Sequence, residues 1–367
     1  MPQHAIRIDP ERLKTLLNGV NRFGFVPETG GYTRPGFTRV DLECRDWFEA
    51  QMKADDLQVW RDGALNLFGR YGPEDGPCVM AGSHLDTVVN GGAFDGALGA
   101  CVALECVRTM KDAGITPRTA IEVAATSEEE GRFGGMLGSQ AIAGAITPAW
   151  IEQAIDADGV RLRDAMNSLG LEPMDILKAA RPAGSINAFL ELHIEQGPVL
   201  EAEEFPIGIA EEVSGVCYLE LELTGIANHS GTTPMHLRAD AFAGLSELAG
   251  TIPDLIQMHG TDQSRFTIGH VELSPNHPHT IPGRAVFSVI LRDTSEEIMV
   301  GLKSRFLESA DIVANRHRLK LNKTERSWLS PVSLDSELAD KLADLAERNE
   351  LPARRMPSGA GHDAQTM

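Results

Sequence analysis

Histidine and carboxylate side chains gather, by type and spacing, at a few places in this chain. The first is Gly82-Ser83-His84-Leu85-Asp86-Thr87-Val88, followed by Asn90-Gly91-Gly92-Ala93-Phe94-Asp95-Gly96. It offers an imidazole, a carboxylate two residues on, and a second carboxylate eleven residues after the histidine, in a glycine-rich loop with little bulk. A neutral imidazole with a carboxylate suits zinc, manganese, cobalt or nickel. Asp86 is close enough in sequence to accept the other ring N–H of His84, fixing its tautomer, and Asp95 has two oxygens with which to bridge two cations. Asn90-Gly91-Gly92 and Asp95-Gly96 are also ordinary turn dipeptides, so the segment alone reads equally as a turn.

Two further acidic or histidine-bearing motifs follow apolar runs. Glu128-Glu129-Glu130-Gly131 offers a carboxylate to ligate a metal and a neighbour to act as general base; three successive glutamates are more commonly a solvated turn. In Glu191-Leu192-His193-Ile194-Glu195-Gln196-Gly197-Pro198 a lone histidine in an apolar run is more commonly a core residue than a ligand, but its polar flanks and the Gly-Pro stop also suit a strand-end site. Asn228-His229-Ser230-Gly231-Thr232-Thr233-Pro234-Met235 reads, by itself, only as a polar loop.

The elements that must position these residues are legible in part. Cys78-Val79-Met80-Ala81, Ala120 to Thr126 and Ala188 to Ile194 read as strands, and Leu98 to Ala113 reads as a helix stopped by Gly114. Strands alternating with helices predict an α/β sheet core with functional residues at strand ends. Beyond about Pro206 the pattern changes. Cys217 to Leu223 and Arg284 to Arg292 alternate as half-buried strands. Asp240 to Leu255 reads as a helix. Thr294-Ser295-Glu296-Glu297 resembles a capping box opening a helix to about Asn315, and Leu334 to Asn349 is a last amphipathic helix. The expected architecture is α/β: a mixed-sheet catalytic domain over residues 1–210 and 326–367, with a smaller α+β lid inserted at 211–325.

Composition sets outer bounds. At 367 residues, 42% hydrophobic and 23% charged, the chain suits a soluble globular protein of two domains, or of one large domain with an insertion. A net charge of −20 without Lys/Arg clusters argues against a nucleic acid partner. No apolar run is long enough to span a membrane, and Met1-Pro2-Gln3-His4-Ala5-Ile6-Arg7-Ile8-Asp9 lacks the apolar stretch of a secretory signal. Five cysteines without a CxxC pair indicate neither a disulfide framework nor a thiolate metal site, giving a cytoplasmic setting as the expectation.

Taken in order, Gly82 to Gly99, Glu129 to Phe133, Glu191 to Glu201, Gly225 to Met235 and Ser358-Gly359-Ala360-Gly361-His362-Asp363-Ala364 resemble the M20 metallopeptidase-like family, in its amidase/hydantoinase-carbamoylase branch. That branch holds N-carbamoyl-L-amino-acid hydrolases, allantoate amidohydrolases and β-ureidopropionases. The resemblance runs from Gly31-Tyr32-Thr33-Arg34 to the C-terminus. It implies a centre of two divalent ions held by His84, Asp95, Glu130 and His193, with Asp95 bridging, Asp86 behind His84 and Glu129 as general base; a register using Glu128 and Glu129 stays open. It further implies that His229 reaches the active site of a partner subunit in a homodimer. Gln196, Arg292, Gly359 and Gly361 match substrate-binding positions, with Arg292 paired to the substrate carboxylate.

The chain departs from the family pattern in three ways. The asparagine usual before the Ile-Pro-Gly turn is His279, in a segment that also offers Asn276 for substrate binding. The aspartate usual two residues before the arginine is Ile290. The family's last histidine ligand lies in a segment beyond the Gly-His-Asp-Ala motif, so the ending reads as a missing tail and a weakened second metal site. The implied activity is hydrolysis of an N-carbamoyl amino acid to amino acid, ammonia and carbon dioxide. The alternatives are allantoate hydrolysis and a metal-poor substrate-binding homologue.

Overall fold

The computed structural model describes residues 6–367, so the reading of Met1 to Ala5 as free of a signal falls outside the described residues. The chain forms two compact units. One comprises Met1–Ile194 with His362–Met367; the other is Glu195–Gly361. Both are built of mixed α/β structure with mixed sheets.

In the first unit, α1 (Pro10–Val20) starts on the carboxylate of Asp9, which accepts from the N–H groups of Glu11 and Arg12, with proline at its first position. A short ladder, β1 (Phe25–Val26) with β2 (Gly31–Tyr32), precedes α2 (Arg39–Ala54). A five-stranded sheet follows, made of β3 (Gln58–Arg61), β4 (Leu67–Tyr71), β5 (Cys78–His84), β6 (Ala120–Thr126) and β7 (Ile186–Leu190), in the order β3-β4-β6-β5-β7. β3, β4 and β6 are antiparallel, whereas β6, β5 and β7 run parallel. Between β5 and β6 lies α3 (Ala97–Asp112), whose Ala100, Leu104 and Val107 are fully buried in the core with Phe48, Met52 and Val123. The short helices α4 (Leu137–Ile142), α5 (Pro148–Gln153) and α6 (Leu162–Ser168) surround a second apolar cluster that includes Phe37, Ile151 and Met166.

The parallel triplet decides where chemistry can collect. Its three strands point the same way, so their carboxyl ends share one edge. His84 ends β5 and pairs in register with Thr126, the end of β6. The expected strand at Ala188 to Ile194 stops at Leu190, whose partner is Ala81. Glu191 to Ile194 therefore leave the ladder and carry their side chains off the sheet end.

The second unit begins with the single turn α7 (Val199–Ala202) and holds two larger sheets and a two-stranded ladder. β8 (Ile207–Val213) belongs to the smaller of the two sheets. The larger is antiparallel and centres on β9 (Gly215–Thr224), whose residues alternate buried and half-buried as the sequence pattern requires. A two-residue β10 (Asn228–His229) leads to α8 (Ala241–Gly250) and α9 (Ile252–His259). One continuous helix was expected here; it breaks at Thr251, because Pro253 is accommodated only in a first helical turn. Then come β11 (Arg265–Thr267), β12 (Val271–Ser274), β13 (Thr280–Ile281) and β14 (Arg284–Asp293). Next is α10 (Glu296–Arg316), which Ser295 caps by accepting from Ile298 N–H. β15 (Lys320–Leu329) completes the order β11-β14-β9-β15, with β12 also paired to β14. Leu219, Leu221, Phe287, Val289, Leu302 and Phe306 form the core of this layer. β16 (Val332–Ser333), α11 (Ser336–Arg348) and β17 (Ala353–Ser358) complete the unit, β16 and β17 flanking β8.

Candidate metal centre

Each of the three parallel strand ends delivers part of one cluster. His84 is the last residue of β5, 1% exposed. Its Nδ1 lies 3.0 Å from the main-chain oxygen of Asp86. A carbonyl can only accept, so Nδ1 carries a proton, which leaves Nε2 as the nitrogen that can take a metal ion or a second proton. That Nε2 is buried, accepts no hydrogen bond among the described residues, and faces Asp95 Oδ1 at 3.4 Å and Glu129 Oε2 at 3.6 Å. His193 repeats the arrangement: Nδ1 meets the main-chain oxygen of Ile194 at 3.0 Å, and Nε2 lies 3.0 Å from the same Asp95 oxygen.

The Asp86 side chain does not take the role that its spacing suggests. Its Oδ1 is 4.0 Å from His84 Nδ1, and the ring's bond goes to the main chain instead. Oδ2 accepts the Glu130 main-chain N–H at 3.2 Å. Asp86 thus ties the end of β5 to the loop after β6. In that loop the three glutamates diverge. Glu128 is buried and accepts from Phe133 N–H at 2.6 Å; Glu129 faces His84; Glu130 Oε1 accepts from Val88 N–H at 3.3 Å.

Gly96 makes room for the cluster. It precedes α3 at φ +57°, and a Cβ there would meet the His84 ring at 2.5 Å. Asp95 is thereby held at the start of α3, in reach of both imidazoles.

The electrostatics call for a cation. Burial opposes charge on His84, but Asp95, Glu129 and Asp86 outweigh it and raise its pKa well above the ordinary histidine value. Burial would raise the Asp95 carboxyl, but His193 and His84 hold it far below the ordinary range. Burial pushes Glu129 up to about 9. Two imidazole lone pairs directed at one carboxylate oxygen repel unless a proton or a metal ion lies between them. The donor atoms of His84, Asp95 and His193 lie within 4.8 Å of one another, and their chemistry fits a divalent transition metal.

The structure therefore brings His84, Asp86, Asp95, Glu129, Glu130 and His193 together. Gln196, His229, Asn276, His279, Arg292, Gly359 and Gly361 belong to the second unit. There, Arg292 Nη1 donates to the Gly359 carbonyl at 2.7 Å, joining two of the expected substrate-binding positions. His229 is exposed on β10, and its Nδ1 accepts from Gly231 N–H at 3.1 Å and Thr232 N–H at 3.2 Å. Its proton consequently resides on Nε2, directed outward as a donor. The β10–β13 ladder pairs His229 with Thr280, beside His279, which is also exposed. Asn276 and Gln196 occupy left-handed backbone conformations, at φ 52° and 53°.

Sequence reasoning did not single out the carboxylates behind the histidines. Glu191 accepts from Ser83 Oγ at 2.6 Å and from Ala364 N–H at 2.9 Å; Asp363 is fully buried and accepts from Thr126 Oγ1. Both lie in motifs already marked, so their proximity to His193 and His362 was the available signal.

The family model for peptidase family M20/M25/M40 matches residues 80–367. The chain belongs to that family. Its members are hydrolytic and typically depend on a dinuclear metal centre. Among similar M20 proteins is an N-carbamoyl-L-amino-acid amidohydrolase of Paenarthrobacter aurescens, 37% identical over 96% of this chain and 86% of its own length. An allantoate amidohydrolase of Escherichia coli K12 is 35% identical over 97% and 86%. A hydantoinase/carbamoylase family amidase of Burkholderia multivorans has a crystal structure that superposes with a TM-score of 0.89 at 31% identity, covering 99% of this chain and 88% of that one. No helix among the described residues is long and apolar enough to cross a membrane.

Proposed function

We propose that this M20 protein hydrolyses the ureido amide of an N-carbamoyl amino acid to amino acid, ammonia and carbon dioxide, with one water consumed. The observation that carries the reading is the convergence of His84 Nε2 and His193 Nε2 on Asp95 with Glu129 beside them, in a chain 37% identical to an enzyme of that name. His84, Asp95, Glu130 and His193 would hold two divalent ions of zinc, manganese, cobalt or nickel. Such ions, when bound, lower the pKa of water and polarise a carbonyl.

The remaining work belongs to side chains. Glu129 takes a proton from the attacking water and passes it to the leaving nitrogen. A cation held at His84, 3.6 Å from Glu129 Oε2, would favour the carboxylate form that a base requires. His229, with Nε2–H outward, donates to the substrate carbonyl oxygen as charge develops there. Arg292 pairs with the substrate carboxylate while its second contact, Gly359, keeps the guanidinium oriented. Gln196, Asn276, His279 and Gly361 complete the substrate contacts. Residues 211–325 act as lid and homodimerisation element, and the setting is cytoplasmic; the separate apolar core around Phe287 and the absence of disulfides among five free cysteines support these readings.

Steady-state kcat/KM for N-carbamoyl-L-amino acids, N-carbamoyl-β-alanine and allantoate tests the proposal. Highest efficiency on an N-carbamoyl-L-amino acid is the expected result. Preference for allantoate supports the second reading, which the 35% identical allantoate amidohydrolase favours. Purified protein with fewer than about one ion per subunit and no turnover marks a binding homologue instead.

A further inference from the structure

Two arginines are completely buried behind the metal centre, Arg34 and Arg45. Neither ligates a metal, and a buried guanidinium is costly unless its donors are spent. Arg34 directs its Nε to the Leu85 carbonyl at 2.6 Å and Nη1 to the Phe23 carbonyl at 2.6 Å. Arg45 is spent differently. Its Nε meets Asp41 Oδ1 at 2.8 Å, Nη1 the carbonyls of Ala125 at 3.0 Å and Leu65 at 3.3 Å, and Nη2 the Thr126 carbonyl at 2.8 Å. The same Nη2 lies 3.7 Å from Asp86 Oδ1. That oxygen is buried and accepts no hydrogen bond among the described residues, and the guanidinium faces it more closely than His84 Nδ1 does, at 4.0 Å.

These contacts join two strand ends. Ala125 and Thr126 close β6 and lead directly into the glutamate run. Asp86 follows β5, and its other oxygen holds the Glu130 N–H. Asp41 alone would satisfy the charge of Arg45; apart from the contact to Leu65, the remaining N–H groups are directed at the end of β6 and at Asp86, beside the expected metal ligands.

We infer that Arg45 is a positioning residue for the metal centre: it fixes Asp86, and through Asp86 the relative placement of His84 and Glu130. The inference rests on the metal-centre reading above. Because the link runs through a single carboxylate, the effects of removing Arg45 and of removing Asp86 overlap.

A double-mutant cycle tests this. Zinc affinity, measured by competition with a chromophoric chelator, is compared for wild type, Arg45→Met, Asp86→Asn and the double variant, with Arg34→Met as control. Loss of an outer partner of a metal ligand costs about 10–100-fold in metal affinity. Arg45→Met and Asp86→Asn should each lose affinity in that range, and the double variant no more than the worse of the two. Arg45→Lys, which keeps the charge beside Asp41 but not the forked donors, should recover part of the loss. If Arg45→Met does not fold, the cycle is run with Arg45→Lys and the same non-additivity is expected. Additive losses, or an equal loss in Arg34→Met, would show a general packing role and overturn the inference. Wild type that takes up no zinc would sink the metal-centre reading itself; wild type that binds zinc, with Arg45→Met unchanged, would sink this inference alone.

Discussion

Three consecutive glutamates do three different things. Glu128 is turned by a positive φ of 55° into the backbone, where it accepts from Phe133 N–H, while Glu129 and Glu130 face the cluster. This divergence favours the register in which Glu129 is the base and Glu130 the ligand. Glu129→Gln should keep its zinc, by elemental analysis, and lose roughly 10²–10⁴-fold in kcat. A Gln variant with near wild-type turnover would remove Glu129 from the mechanism. At Gly96 the limiting quantity is space rather than charge. Gly96→Ala places a methyl group 2.5 Å from the His84 ring at a positive φ, so zinc uptake should fall even where circular dichroism shows a folded protein. Arg292→Lys keeps a positive charge but loses the planar fork, so KM for the carboxylate substrate should rise about tenfold or more, with a smaller change in kcat. An unchanged KM would place the carboxylate elsewhere.

At the scale of elements, the sheet positions the chemistry because β5, β6 and β7 are parallel and end on one edge. Much of this was legible. Ala120 to Thr126 is β6 residue for residue, and the helix expected at Leu98 to Ala113 is α3 within one residue at each end. Their signals are local: a continuous apolar run, and a helical repeat stopped by glycine. The strand expected up to Ile194 ends at Leu190: apolar Leu192 and Ile194 continue the pattern, but pairing with β5 stops at Ala81. Arg45 stayed hidden for a different reason. Its carbonyl partners Ala125 and Thr126 lie 80 and 81 residues away, and no sequence window contains them. One cue existed, since Asp41 and Arg45 share the stripe of Cys44, Phe48 and Met52, where charge has no solvent to meet. In the other unit, Phe287 on β14 is fully buried in the core, and Phe287→Ala should cost about 3–5 kcal/mol in denaturant unfolding.

Over the whole molecule, a net charge of −20 coexists with a cluster of buried carboxyls. Burial pushes Glu191 to about 7, Glu128 to about 8 and Glu129 to about 9, from an ordinary 4.5. A folded-state pKa above the unfolded value means that the metal-free fold binds protons the unfolded chain has released. That stability is fully present below the ordinary glutamate range and is lost as pH rises through about 7 to 9. His84 and His193, both raised, act in the same direction. A divalent cation replaces those protons and needs the deprotonated ligands. Melting temperatures of chelator-treated protein should therefore fall with rising pH, while the gap to zinc-loaded protein widens. Parallel curves would show that the cluster carries no such linkage.

The chain leaves the first unit after Ile194 and returns at His362. On a ribosome, His84, Asp95 and His193 are all synthesised before the whole of Glu195–Gly361. Yet Asp363 bonds to Thr126 across 237 residues, and the Ala364 N–H reaches Glu191 across 173. The three histidine and aspartate donors thus wait through the synthesis of an entire second unit before the carboxylates behind them acquire their last hydrogen-bond partners. A chain released before His362 would therefore carry all three donors without the backing that Asp363 and Ala364 supply.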